Sequence, residues 1–128
     1  MTAQEPLFTA DDIIYTYTRQ DALRDGVLVD VSDMAREAGF KWPVAITAEV
    51  QGIIDNIPPS QSHQDTAGRL WDVLWMGSRA AKRGGTETLY RLICHHGRKT
   101  YLTLKMVRGP HGPHNPAPCI TIMMPWED

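Results

Sequence analysis

Three side chains near the start of the chain have the chemistry of an acid–base site. Asp30 lies at the end of the apolar run 27–31, and Tyr17 and Arg19 precede that run. A carboxylate at a strand end beside a guanidinium and a phenol can have a shifted pKa and act as a general acid or base. The same position, two residues before Ser32, is also typical of a turn in which the carboxylate caps the backbone. Asp30, Arg19 and Tyr17 are therefore candidate catalytic residues with a structural alternative.

A second group of residues has the chemistry of a metal site. Four of the five histidines and both cysteines lie in or beside the C-terminal apolar runs, and zinc binds imidazole and thiolate. However, the chain has no CxxC pair and no HExxH motif, and neighbouring strand residues such as His95 and His96 point to opposite faces. We therefore expect no metal and no cofactor. The weak candidate ligands are His95, His111 and His114.

Basic residues are concentrated in the second half of the chain. Residues 66–128 carry nine Lys and Arg against four Asp and Glu, whereas residues 1–65 carry four against eleven. Such a basic strip, with Tyr90 and Tyr101 interleaved, can neutralise phosphates and stack bases. A solvated hairpin face explains the same basic residues equally, and the acidic and basic halves can neutralise each other. The pI near 6.2 is also not typical of a dedicated DNA-binding domain. The candidate binding residues here are Arg91, Arg98, Lys99, Lys105 and Arg108.

Helical periodicity predicts the elements that position these residues. Apolar residues recur at i, i+3, i+4 and i+7 across 63–83, which predicts one long amphipathic helix. Trp71 and Trp75 lie one turn apart on it. If Trp71 faces the core, Trp75 lies near the edge of the apolar stripe and is a candidate contact residue. Shorter helices are predicted at 19–25, after a Thr18 cap, and at about 48–56 after Thr47.

Period-two patterns predict strands at 88–95 and 100–107, and short apolar runs predict strands at 27–31 and 119–124. Residues 88–95 and 100–107 form a predicted antiparallel hairpin, and 108–118, with four prolines and two glycines, is a predicted loop. Helices mostly precede strands, which favours an α+β fold. We expect a mainly antiparallel sheet of three to five strands, covered on one face by the 63–83 helix plus shorter helices, with 27–31 at an edge. Residues 1–12 form a predicted flexible arm, and 13–128 a single domain.

Three blocks of sequence carry a family resemblance. They read YTRQDALRDGVLVDVS at 17–32, QDTAGRLWDVLWM at 64–76 and ITIMMP at 120–125. In order and wording they resemble a family of short, functionally uncharacterised proteins often encoded on plasmids, integrative elements and phages. The resemblance implies an accessory protein of a mobile genetic element, and it carries no activity to transfer.

The residues themselves supply no complete catalytic set. The chain has no Gly-rich phosphate loop and no GxSxG elbow, and no apolar run approaches the roughly 18–20 residues that span a bilayer. We therefore expect a small non-enzymatic cytoplasmic protein that binds a host or element-encoded macromolecule. A protein partner is favoured, and an anti-defence factor is one form of this role. The alternatives are a small enzyme centred on Asp30, Arg19 and Tyr17, and a nucleic-acid-binding module that uses the basic hairpin.

Overall fold

The structure is a computed structural model that describes residues 17–56, 66–95, 99–112 and 115–128, without the side chains of residues 94, 95, 99 and 100. The predicted arm at 1–12 lies outside these ranges. Within them the fold is α+β, and no helix is long and apolar enough to cross a membrane. The helices are α1 (Arg19–Asp25), α2 (Ser32–Ala38), α3 (Ala48–Asp55) and α4 (Thr66–Ala81). The strands are β1 (Leu28–Asp30), β2 (Val44–Thr47), β3 (Glu87–His95), β4 (Lys99–Gly112) and β5 (Asn115–Met123).

Side-chain caps fix the ends of the short helices. Thr18 Oγ1 accepts a hydrogen bond from the Asp21 backbone N–H at 3.0 Å, and the Asp21 carboxylate accepts one from the Thr18 N–H at 3.2 Å. This reciprocal pair satisfies two N–H groups that a helix start leaves free. Gly26, at φ 80°, ends α1 in the left-handed conformation. Thr47 caps α3 by accepting from the Val50 N–H, without a reciprocal bond. These predicted helix boundaries are confirmed.

The sheet is mixed, with strand order β1-β2-β5-β4-β3. Three pairings are antiparallel, but β2 and β5 run parallel, so the expected mainly antiparallel sheet is only partly confirmed. β1 lies at an edge, as predicted. Strand β2 was not predicted, because Pro43 and the short segment after it indicated only an extended connection. All four β2 residues are buried, which is typical of a strand paired on both sides.

The prediction of a loop at 108–118 is wrong. β4 continues to Gly112 and β5 begins at Asn115, with Gly109 opposite Cys119 and Pro110 opposite Pro118. This part of the hairpin extends beyond the pairings with β3 and β2, so it forms a two-stranded ribbon. Proline lacks a backbone N–H, but a ribbon with no outer neighbours leaves positions where no N–H is required. The prolines therefore do not break the strands.

The two faces of the sheet are covered differently. Helices α2, α3 and α4 pack on one face, where the inward side chains of the strands form the core. The largest fully buried side chains of that core include Ile46, Leu74, Leu104, Met106 and Ile122. Helix α1 lies over the opposite face, where Arg19 donates to Thr121 Oγ1 and to the Ile120 carbonyl. The β3–β4 half of this second face is left open in the described part of the chain.

A glycine sets the distance between α4 and the sheet. The Tyr90 hydroxyl donates to the Val73 carbonyl at 3.0 Å from beneath the helix. A Cβ at Gly77 would lie 2.9 Å from that hydroxyl oxygen and 3.4 Å from the Phe40 ring. Burial raises the pKa of Tyr90, so the phenol stays protonated and keeps donating. Only glycine therefore lets α4 approach Tyr90 and Phe40 this closely.

The core interpretation makes a stability prediction for α4. Leu74 is fully buried in the core, whereas Leu89 is 56% exposed on the open face. Leu74→Ala should lower the free energy of unfolding by about 2–5 kcal/mol, because it removes buried surface and leaves a cavity. The same change at Leu89 should cost less than about 1 kcal/mol, the range of strand propensity alone. Urea melts of both variants that give equal losses would contradict this packing.

Two glycine-to-alanine changes should have opposite signs. Gly52 lies on α3 with open space where its Cβ would be, so Gly52→Ala should raise the free energy of unfolding by about 0.5–1 kcal/mol. Gly77→Ala should lower it by about 1–3 kcal/mol, because the new methyl displaces the buried Tyr90 hydroxyl from its acceptor. Thermal or urea melts check both. Stabilisation at Gly77 comparable to that at Gly52 would show that the α4–Tyr90 contact is loose.

Candidate functional site

A groove lies along the outer side of α4, beside the edge strand β3. Its volume is about 420 Å³. Side chains from α4, β3 and β4 form its walls, and we call it the tryptophan groove. Its lining residues are Asp72, Trp75, Met76, Arg91, Leu92, Ile93 and Tyr101.

The tryptophan of this groove is exposed but held in place. Trp75 is 43% exposed, and its ring stacks on that of Trp71, with centroids 5.9 Å apart and planes 19° from parallel. Trp71 packs against the core, and the Arg79 guanidinium lies 5.9 Å from the Trp75 ring centroid. The expected division, with Trp71 inward and Trp75 at the stripe edge, is confirmed. Trp75 is therefore a large apolar contact surface that loses little side-chain freedom on binding.

The strand side of the groove carries a second ordered aromatic. The Arg91 guanidinium lies 4.7 Å from the Tyr101 ring centroid, within the range of a cation–π interaction. Tyr101 is 62% exposed and pairs across the strands with Ile93, which is also exposed. On the opposite wall, Met76 is exposed on α4. Apolar, aromatic and cationic side chains thus surround one groove.

The groove runs beside backbone groups that no strand of the described chain pairs with. Thr86 O accepts from the Arg108 N–H, and this bond shows which residues of β3 turn their backbone groups toward β4. In an antiparallel ladder alternate residues turn their backbone groups toward the partner strand, so those of Tyr90 and Leu92 point to β4. The backbone groups of Leu89, Arg91 and Ile93 consequently point outward. Arg83 Nη1 donates to the Leu89 carbonyl at 3.0 Å, which agrees with an outward-pointing Leu89 carbonyl.

One carboxylate lies in the groove wall without an ion pair to any described residue. Asp72 is on α4, and no lysine or arginine nitrogen in the described ranges lies within ion-pairing distance of it. Burial raises the pKa of the Asp72 carboxyl above its ordinary value. Arg91 lines the same groove, yet its guanidinium is stacked on Tyr101 instead. The groove therefore contains a cation and a partly desolvated carboxylate, neither of which has an ion pair with a described residue.

Of the three candidate catalytic residues, Tyr17 is bound to Asp25, whereas Arg19 lies within electrostatic range of Asp30. Tyr17 donates to the Asp25 carboxylate at 2.9 Å, and this hydrogen bond raises the pKa of the phenol. Arg19 is half-buried over β5, and burial lowers its pKa. Asp30 accepts from the Ser32 backbone N–H at 3.1 Å and from its hydroxyl at 2.6 Å. The hydrogen bonds of Asp30 match the turn-capping alternative, and a catalytic role for Asp30, Arg19 and Tyr17 stays a prediction.

Helix α2 begins without a side-chain cap from its N-cap residue. Val31 is the N-cap residue of α2, and Ser32 is the first helical residue. The Ser32 hydroxyl instead accepts from the Val44 N–H at 3.0 Å, which ties the start of α2 to β2. Asp30 thus orients a hydroxyl that links two elements, which is a structural role.

The predicted basic strip is divided between two surfaces. Arg91 lines the tryptophan groove, whereas Arg108 donates to the Ala81 carbonyl at the end of α4, on the helix-covered side. Lys105 Nζ donates to the Glu127 backbone carbonyl on the open face. Arg98 and the side chain of Lys99 lie outside the described residues, so nucleic-acid binding by the basic hairpin stays a prediction.

The candidate metal ligands are only partly described. His111 Nδ1 lies 2.8 Å from the Ala117 carbonyl oxygen, while His114 and the side chain of His95 lie outside the described residues. Among the described residues no group of three potential ligands is close enough to hold a metal ion. Cys119 is a buried free thiol, and burial raises its pKa.

Comparison with known proteins places the chain in a family. The sequence matches the family described as "Family of unknown function (DUF6573)" over residues 4–128. The chain belongs to the DUF6573 family. No curated protein and no solved structure matches it. The predicted resemblance to a family without an assigned activity is confirmed to this extent, and encoding by a mobile element stays a prediction.

Several groove residues of this DUF6573 protein were not predicted from its sequence. Met76 and Ile93 were not singled out as contact residues, whereas Trp75 and Arg91 were, and Tyr101 was named as an aromatic of the basic strip. The period-two pattern of 88–95 contains the missing signal, because it puts Leu89 and Ile93 on the same face as Arg91, opposite the core. No sequence pattern relates that face to α4, since the two meet only through packing.

The raised pKa of Asp72 gives a pH-dependent stability prediction. A carboxyl whose pKa is higher in the folded than in the unfolded protein adds stability below its unfolded pKa, and this stability is lost as pH rises through the folded pKa. Asp72→Asn stays neutral, so its melting temperature relative to wild type should increase between about pH 3 and pH 7.

Asp21 is the matched control with the opposite sign. Its hydrogen bond from the Thr18 backbone N–H lowers the pKa of its carboxyl, so its stabilisation is present above the unfolded pKa and is lost in acid. Asp21→Asn should therefore lose melting temperature relative to wild type as pH rises over the same interval. Parallel trends for the two variants would contradict the assigned environments.

Proposed function

We propose that the chain is a non-enzymatic accessory protein of a mobile genetic element that binds a host or element-encoded protein. The observation that supports this most is the tryptophan groove, where exposed Trp75, Met76, Ile93 and Tyr101 surround Arg91 at an open sheet edge. The bound protein would be a component of the host or of the element, and inhibition of a host defence is one form of this role.

The composition of the groove is that of a protein-binding surface. Tryptophan, tyrosine, methionine and arginine are the residues enriched in interfaces and in their energetic hot spots. Trp75 and Arg91 are also pre-ordered, by stacking on Trp71 and on Tyr101. Pre-ordering lowers the entropy lost on binding, so these two side chains are the expected anchors.

The edge of β3 favours an extended partner segment. Edge strands with free backbone groups accept an additional strand, and main-chain hydrogen bonds then supply affinity while neighbouring pockets select side chains. The outward groups of Arg91 and Ile93 are available for such bonds, and the groove lies beside them. We infer that the partner adds a strand to β3 and places an apolar side chain against Trp75.

Charge favours an acidic segment as the occupant over a second copy of the chain. Arg79, Arg83 and Arg91 lie along this edge, and all three ion pairs of the described residues involve other arginines. Two copies joined through antiparallel β3 strands centred on Arg91 would set like charges directly opposite, which is destabilising. A carboxylate of the partner next to Arg91 would gain a charge-assisted hydrogen bond.

Affinity capture with matched variants tests this proposal. Tagged wild-type protein is incubated with lysate of the organism that carries the gene, in parallel with Trp75→Ala and Arg91→Glu. The controls are Trp126→Ala, which changes a tryptophan that is 70% exposed elsewhere, and Lys82→Glu, which reverses an exposed cation outside this groove that has no ion pair among the described residues. We expect one protein to be captured by wild type and both controls and lost with both groove variants, at unchanged melting temperatures. Capture that ignores the groove substitutions would overturn the proposal.

A peptide of the captured protein then tests strand addition. N-methylation removes a backbone donor, and only alternate backbone groups of an added strand face β3. Methylation at every second position should therefore abolish binding, whereas methylation at the intervening positions should leave it nearly unchanged. Equal sensitivity at all positions would exclude a strand paired with β3.

A further inference from the structure

A second groove, on the helix-covered side of the molecule, gathers cations that are far apart in sequence. It has a volume of about 340 Å³, within the size range of small-ligand sites, which begins at about 300 Å³. Its floor includes the buried Phe40 and Ile120, and Ser78 contributes a hydroxyl. We call it the basic groove. The residues that give it its chemistry are Lys41, Trp42, Ser78, Lys82 and Arg108.

Close packing of α2 against α4 assembles this groove. Gly39 ends α2 at φ 113°, and a Cβ there would lie 2.8 Å from Ser78 Oγ on α4. Glycine thus permits both the left-handed turn and the close approach of the two helices. The turn delivers Lys41 and Trp42 to the end of α4, where Lys82 follows the helix.

The electrostatics of the basic groove favour an anion. None of its lining residues is acidic, and the ion pairs of the described residues involve none of its cations. The carboxyl end of α4 contributes only about half a negative charge. Arg108 covers part of that end by donating to the Ala81 carbonyl, and Lys41 and Lys82 are exposed at the rim. Three positive charges therefore outweigh the helix end.

The groove also has a flat aromatic wall. Trp42 is 42% exposed. Pro43 follows it and immediately precedes β2, and the proline ring restricts the backbone between Trp42 and that strand. An indole face beside cations is the combination with which proteins bind nucleotides, by stacking on the base and pairing with the phosphate. An inorganic anion would use the cations but leave Trp42 and the apolar floor unused.

We propose that the basic groove binds a nucleotide, with the base against Trp42 and the phosphate between Lys41, Lys82 and Arg108. The ligand is either a free nucleotide or one unit of a single-stranded nucleic acid, and the chemistry recognised is the same. This site is separate from the tryptophan groove, with which it shares no lining residue. Its occupation does not depend on the proposed protein partner.

Calorimetric titration of the full chain with adenosine and guanosine mononucleotides, a short single-stranded oligonucleotide and inorganic phosphate tests this site. We expect nucleotide binding that weakens at least about tenfold in Lys41→Glu and in Lys82→Glu, since each change removes a charge-assisted contact. Trp42→Leu should weaken nucleotide binding by a similar factor and leave the binding of inorganic phosphate unchanged. The controls are Arg83→Glu, the next cation along the chain, which reaches the β3 edge, and Trp75→Ala.

The outcomes separate the sources of the ligand. Equal affinity for mononucleotide and oligonucleotide per site supports a free nucleotide, whereas tighter oligonucleotide binding with a steep salt dependence supports a single strand. No nucleotide binding at millimolar concentration, or binding lost equally in Arg83→Glu and Lys82→Glu, would overturn the proposal. Phosphate binding as tight as nucleotide binding and indifferent to Trp42→Leu would also overturn it.

Discussion

The contact of Gly77 with Tyr90 and Phe40 determines how the rest of the molecule is arranged. It lets α4 lie close enough to the sheet for the Tyr90 hydroxyl to reach the Val73 carbonyl. Tyr90 belongs to β3, so its contact with Gly77 holds α4 beside the edge strand. The tryptophan groove lies between the two. Phe40 follows α2, so the other side brings the second helix in and forms the basic groove. Both candidate sites therefore depend on how closely α4 packs, and Gly39 permits the same close approach at the basic groove.

The parallel pairing of β2 with β5 joins an acidic half of the chain to a basic half. The alternative that the halves neutralise each other is not supported by ion pairs, because every one in the described residues lies within the first half. Arg24 pairs with Asp21 and Asp25, and Arg36 with Asp33. Four arginines of the second half instead stack on aromatic rings or donate to carbonyl groups, namely Arg79, Arg83, Arg91 and Arg108. Their charge is therefore left to attract a partner, and the two grooves divide it.

Local features of the fold were predictable from sequence, and long-range ones were not. The Thr18 and Thr47 caps and the amphipathic stripe of α4 depend on neighbours within one or two turns, so composition and spacing indicate them. The parallel β2–β5 pair joins segments far apart in sequence. The ribbon beyond residue 108 was missed because its four prolines are typical of a loop. The same limit applies to the sites. Trp75 and Arg91 were identified separately, but no pattern relates them to each other or Lys41 to Arg108.

The claim that β3 has a free edge poised to receive a strand is tested most directly by residue-resolved amide hydrogen exchange. In the free protein the amides of Tyr90 and Leu92, which donate to β4, should exchange slowly, and those of Arg91 and Ile93 should exchange rapidly. When the captured partner is added, the second pair should become protected and the first should change little. Protection of Arg91 and Ile93 already in the free protein, or no change on binding, would contradict the account.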